Sequence, residues 1–164
     1  MVPSRCALVL AGAASLALAG CGAGASSTPR QTSTTVGVAR SGLGRVLVDS
    51  RARTLYLFEK DRGRRSACVG ACAQDWPPLR SAGQPTAGGG ARASLVATAR
   101  RPDGVAGVTY NGHPLYLFAG DRQPGDANGQ GLTAFGGTWL VVSPSGDAVM
   151  RRVGAGVGPR GYVR

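Results

Sequence analysis

Apolar and polar positions alternate over short runs, with turn residues between them. Arg45–Asp49 and Thr54–Glu59 are rich in Val, Leu, Tyr and Phe, and Ser50–Arg53 separates them as a turn. Leu95–Arg100, Val105–Tyr110 and Pro114–Phe118 form a second series, broken at Pro102-Asp103-Gly104 and at Asn111-Gly112. An Asn-Gly pair between apolar runs is the strongest short-range hairpin signal. Thr138–Val142 and Asp147–Met150, joined through Pro144-Ser145-Gly146, read as a further hairpin. About seven short strands with frequent turns predict an all-β sandwich or small barrel.

An internal repeat organises these strands. Leu55-Tyr56-Leu57-Phe58-Glu59-Lys60-Asp61-Arg62 returns as Leu115-Tyr116-Leu117-Phe118-Ala119-Gly120-Asp121-Arg122, with only Glu59 and Lys60 changed. Each copy follows a predicted hairpin and precedes a tryptophan, Trp76 or Trp139. Two copies at this offset of about 60 residues imply two hairpin-based β-units, each covering the other's open apolar face. In a strand, Tyr56 and Phe58 point to one side and Leu55 and Leu57 to the other, as do Tyr116 and Phe118 against Leu115 and Leu117. Both faces are apolar, so these strands belong at the centre of the domain.

Composition agrees with this and excludes the helical alternatives. The chain has 164 residues with 27 Gly and 10 Pro. Only Lys60 among its basic residues is lysine, and only Glu59 among its acids is glutamate. Long surface helices draw on Lys, Glu and Gln, so a bundle or coiled coil is ruled out.

The first residues read as a targeting segment. Arg5 supplies a positive start, and the apolar run Ala7–Ala19 is too short to span a bilayer but suits a signal peptide. It ends in Leu18-Ala19-Gly20-Cys21, which resembles the bacterial lipobox. Residues 1–20 are therefore expected to be a lipoprotein signal peptide and Cys21 the lipidation site, anchoring the chain to the cell membrane on its extracytoplasmic face. The segment 21–42, rich in Gly, Ala, Ser and Thr and lacking aromatics, reads as a flexible tether. Residues 43–150 are the expected tandem-repeat domain, and 151–164 a disordered basic tail.

The lipobox, the tandem Tyr-x-Phe-x-x-Asp motifs and the run Cys68-Val-Gly-Ala-Cys72…Trp76-Pro77-Pro78 resemble a family of secreted-repeat bacterial lipoproteins. The resemblance covers 44–150. It implies extracytoplasmic location and tandem β architecture, and leaves function open because the family has no established activity.

Three constellations are candidates for chemistry. In the motif, Asp61 and Asp121 fall just past their strands, where a carboxylate accepts backbone N–H groups and closes a turn. The motif is then architectural. The functional alternative pairs Tyr56 and Tyr116 with these aspartates across a groove that takes a polar ligand. Cys68 and Cys72 lie within disulfide reach on a helical turn, and an oxidising compartment favours the bond. A redox dithiol or a soft-metal site with His113 is the alternative, and with it an electron-transfer accessory carrying haem or copper. The spacing is neither C-x-x-C nor C-x-x-C-H, and one His cannot complete a zinc tetrad. His113 follows the Asn111-Gly112 turn and reads as an exposed residue at a hairpin tip. No catalytic constellation is evident, so neither an enzyme nor a cofactor is expected.

Charge bears on partners. Loss of Arg5 with the signal peptide leaves 18 basic against 8 acidic residues. Such a surface attracts anionic lipid or wall polymer, with nucleic acid excluded by location; a protein partner is not specified by any residue pattern. The expected class is a lipid-anchored, non-enzymatic binding or structural protein.

Overall fold

The computed structural model describes residues 33–151. The predicted signal peptide, Cys21 and the tail from 152 onward lie outside the described residues. Among the described residues the architecture is almost entirely β, with a five-residue helical turn, α1 (Ala71–Asp75), and a 3-10 turn at Ala93–Leu95. Strand β1 (Thr35–Ser41) pairs antiparallel with β2 (Gly44–Asp49) and parallel with the short β4 (Thr86–Ala87). The second repeat opens with the equivalent hairpin, β5 (Val96–Arg100) and β6 (Ala106–Tyr110), extended by β7 (His113–Pro114). Between them lie β3 (Tyr56–Phe58), β8 (Thr133–Ala134) and β9 (Gly137–Val141), in the order β3-β9-β8.

The strand alternation read from the sequence divides the interior in two. Leu55, Leu57 and Leu115 join Val36, Leu47, Val108 and Leu140 in one apolar cluster. Tyr56, Phe58 and Tyr116 join Trp76, Trp139 and the two cysteines in the other. The motif strands are thus central and covered on both sides. Full burial of side chains this large supplies the main favourable term for folding, at roughly 1.5–3 kcal/mol each.

The tether read over 21–42 ends sooner than the composition indicates. Thr35–Ser41 is a full strand with Val36 completely buried in the leucine cluster that both repeats share. Its alternating Val36 and Val38 are enough to seat one face, although the flanking Gly, Ser and Thr mask the pattern. The run Pro114–Phe118 is also not a continuous strand. Only His113–Pro114 pairs with β6, and Tyr116 is held by bridges to Tyr56 and Pro78. The facing segment contains Pro77 and Pro78, which have no N–H to donate, so the ladder is incomplete. Asp147–Met150 likewise contributes a single bridge, Val142 to Ala148.

Candidate functional site

The two motif copies meet at an approximate twofold axis. Tyr56 and Tyr116 exchange backbone hydrogen bonds, each N–H 2.9 Å from the other's carbonyl. Around this pair the two halves repeat the same connections. Leu47 N–H donates to Val142, Val142 N–H to Leu55, and Leu55 N–H to Leu47. In the other half Val108 N–H donates to Leu79, Leu79 N–H to Leu115, and Leu115 N–H to Val108.

These two closed circuits reveal an exchange of strands between repeats. The tryptophan segment of the first repeat, Trp76–Leu79, lies beside the motif of the second, with Leu117 N–H donating to Pro77 at 2.8 Å. The tryptophan segment of the second repeat, in β9, lies beside the motif of the first, with Phe58 opposite Trp139 and Tyr56 opposite Val141. Neither repeat completes its own sheet.

The side chains follow the same exchange. Tyr56 Oη donates to Asp121 Oδ2 at 2.6 Å, and Tyr116 Oη donates to Asp61 Oδ2 at 2.8 Å. Each tyrosine therefore binds the aspartate of the other copy. The carboxylates also close their local loops, Asp61 accepting from Ala67 N–H at 2.7 Å and Asp121 from Asn128 N–H at 2.9 Å. Tyr56 Oη accepts from Gly129 N–H at 3.3 Å, and this glycine is required there. A Cβ on Gly129 would stand 2.7 Å from the Trp76 ring.

Four rings form a continuous stack through the axis, in the order Phe58, Trp139, Trp76 and Phe118. The two indoles lie 3.9 Å apart between centroids at an interplanar angle of 4°. Phe58 covers Trp139 at 4.1 Å and Phe118 covers Trp76 at 4.3 Å. The tyrosines meet the stack edge-on, Tyr56 against Trp76 and Tyr116 against Trp139. Edge-to-face and offset contacts of this kind add about 0.5–1.5 kcal/mol each beyond burial.

One half carries an extra polar network. Ser66 Oγ lies 2.7 Å from Tyr116 Oη and accepts from Arg101 Nη1 at 2.7 Å. Arg101, 5% exposed, also donates to the Cys68 carbonyl at 2.6 Å and pairs with Asp103 at 3.1 Å. A buried guanidinium left without such partners would cost several kcal/mol. Burial pushes both tyrosine hydroxyls above their ordinary range, and the neighbouring carboxylates push them further. Burial also raises Asp61 and Asp121, with the hydrogen bonds they accept opposing it.

The sequence-predicted groove at the repeat interface is filled. Tyr56 and Tyr116 are completely buried and Phe58 nearly so, with their polar atoms already bonded. Cys68 and Cys72 form a buried disulfide, with Cα atoms 5.2 Å apart. It fixes the turn that launches Trp76, whose N–H donates to the Cys72 carbonyl at 2.8 Å. His113 is half-buried in β7 instead of exposed at a tip, which Asn111 and Gly112 occupy. Among the described residues no three His, Cys, Asp or Glu side chains come together as a metal site. No helix among them is long and apolar enough to cross a membrane.

Open, solvent-facing concavities lie elsewhere. A cleft of about 700 Å³ is lined by Arg51, Arg80, the paired Arg53 and Asp49, and the apolar Pro77, Pro78 and Leu117 among others. A second, of about 410 Å³, is lined by Lys60, Arg62, Arg65, Ser66 and Ala67. Arg62 and Arg65 are near neighbours in the chain, whereas Arg51, Arg53 and Arg80 are brought together only by the fold.

Fold and motif geometry define an all-β protein of two interlocked repeats around a shared aromatic core. The chain belongs to the family described as a secreted repeat of unknown function, which matches it twice, over residues 37–80 and 97–143. Each match runs from the hairpin to just past its own tryptophan segment, the unit that the structure exchanges. No curated protein and no solved structure matches the chain.

Proposed function

We propose that this is a lipid-anchored extracytoplasmic binding module, held through Cys21, whose cationic surface retains phosphate-bearing components of the cell envelope. The observation that carries the reading is where the carboxylates go. Asp61 and Asp121 are turned inward to tyrosines and backbone N–H groups. Asp49 and Asp103 are paired with Arg53 and Arg101, and Asp126 accepts from the backbone of Arg122 and Gln123. Five of the eight acids are thus engaged by protein partners, while Arg51, Arg62, Arg65 and Arg80 are exposed and form no ion pair among the described residues.

The lipobox at Cys21 and the secreted character of the family support the location. An arginine surface suits phosphate, because the guanidinium fork matches its oxygens and stays charged at any ambient pH. The larger concavity offers Arg51 and Arg80 for one such group, with Arg53 already paired to Asp49 in its lining.

Two measurements test this. Cys21→Ala should shift the protein from the membrane fraction to unprocessed or soluble material; unchanged processing and partitioning would refute the anchor. Retention on anionic envelope preparations should fall steeply between about 0.05 and about 1 M salt, where the screening length shortens to about 3 Å. Retention that ignores salt would contradict the charge-based reading.

A further inference from the structure

The tips of two hairpins have the same backbone but different residues. Asn111-Gly112 has φ values of 49° and 80°, and Phe135-Gly136 has 55° and 82°. In the second case Ala134 faces Gly137, so the loop is the two-residue kind that demands a left-handed conformation at both positions. Asparagine tolerates that conformation; a bulky aromatic is an outlier there. Phe135 is nevertheless 39% exposed, so its ring does not repay the strain by full burial. Strained, exposed residues of this kind point outward from the fold to a function.

The surroundings of Phe135 are cationic. Lys60 Nζ donates to the Phe135 carbonyl at 3.0 Å and lies beside Gly136. Lys60 also lines the concavity shared with Arg62 and Arg65. Those two arginines are exposed at the ends of a tight turn, closed by their own backbone bonds at 3.1 and 3.2 Å. Of the acids in this stretch, Asp61 is bound to Tyr116 and Ala67, and Glu59 forms no ion pair among the described residues.

We propose that the Phe135 tip, Lys60, Arg62 and Arg65 form a membrane-docking surface for an anionic bilayer. Phe135 enters the headgroup–acyl boundary while the three cations engage lipid phosphates. A free anionic polymer would use the charges and gain nothing from an aromatic held at the tip, whereas a bilayer uses both. The inference deepens the anionic-partner reading above and rests on it. The surface would orient the anchored domain on its own membrane.

The test uses the mature chain with Cys21→Ser, so that no lipid anchor contributes to binding, with vesicles of phosphatidylglycerol in phosphatidylcholine, and with phosphatidylcholine alone. Phe135→Trp should bring tryptophan emission to the blue and make it quenchable by lipids brominated near the headgroup, only in the anionic vesicles. Phe135→Gly should keep or raise Tm, since it relieves the left-handed strain, yet weaken anionic-vesicle binding roughly tenfold. Lys60→Ala, Arg62→Ala and Arg65→Ala should each weaken it roughly fivefold. If the indole introduced by Phe135→Trp stays unquenched while a soluble polyphosphate still binds and is released by salt, the docking surface is wrong and the anionic-partner reading stands. If neither vesicle nor polyphosphate binds, both are overturned.

Discussion

Tyr56 and Tyr116 exchange both backbone hydrogen bonds, and each sends its hydroxyl to the aspartate of the other's motif. The repeated motif is therefore one interlocked structure. Removing either hydroxyl leaves a half-buried carboxylate short of a donor. Tyr56→Phe and Tyr116→Phe should each destabilise the domain by about 1–3 kcal/mol in chemical denaturation. An effect near zero would mean that the rings act by packing alone.

The same burial sets a pH dependence. Tyr56 and Tyr116 hold their protons well above the ordinary tyrosine range, through burial first and the carboxylates second. Unfolded tyrosines ionise near pH 10. Above that pH the unfolded chain binds fewer protons than the folded one, so stability falls as pH rises. The contribution is complete below about pH 10. Tyr56→Phe and Tyr116→Phe should flatten this alkaline limb. Asp61 and Asp121, also raised by burial, contribute stability fully present below about pH 4 and lost as pH rises through their folded values. Asp61→Asn with Asp121→Asn should remove that slope.

The disulfide closes a very short loop, with sequence separation 4. Loop-closure entropy then limits its contribution to about 2 kcal/mol. Cys68→Ser with Cys72→Ser should cost about that much, and the near-ultraviolet circular dichroism of the stacked tryptophans should weaken because the turn before Trp76 is released. A loss of all folded structure would contradict a local role.

Thr109 Oγ1 is buried without a hydrogen-bond partner in the structure, beside a cavity of about 10 Å³ that Ser66 and Arg101 also line. Thr109→Val removes the unsatisfied hydroxyl and keeps the shape. It should leave stability unchanged or raise it by about 1 kcal/mol, as read by urea denaturation.

Much of this organisation is legible in the chain. The identity of Leu55–Phe58 with Leu115–Phe118 announces the repeat, and strand alternation assigns the Leu and Tyr/Phe faces correctly. Asn111-Gly112 marks its turn. What is not legible depends on contacts between distant segments. Val36 looks like part of a Gly/Ser/Thr tether until β4 and the core are present. Pro77-Pro78 itself reads as a turn or loop pair, so nothing local says that Trp76 serves the other repeat. The pairing of Tyr56 with Asp121 instead of Asp61 is set by that exchange, and no spacing rule encodes it. Phe135-Gly136 resembles no favoured turn pair, so no local signal marks its hairpin.

The most direct test of the interlocked repeats is a pair of double-mutant cycles at neutral pH by urea denaturation. Interlocking predicts a coupling of about 1–2 kcal/mol between Tyr56→Phe and Asp121→Ala. It predicts additivity within about 0.5 kcal/mol between Tyr56→Phe and Asp61→Ala. Coupling of Tyr56 to Asp61, with none to Asp121, would contradict the exchange between repeats.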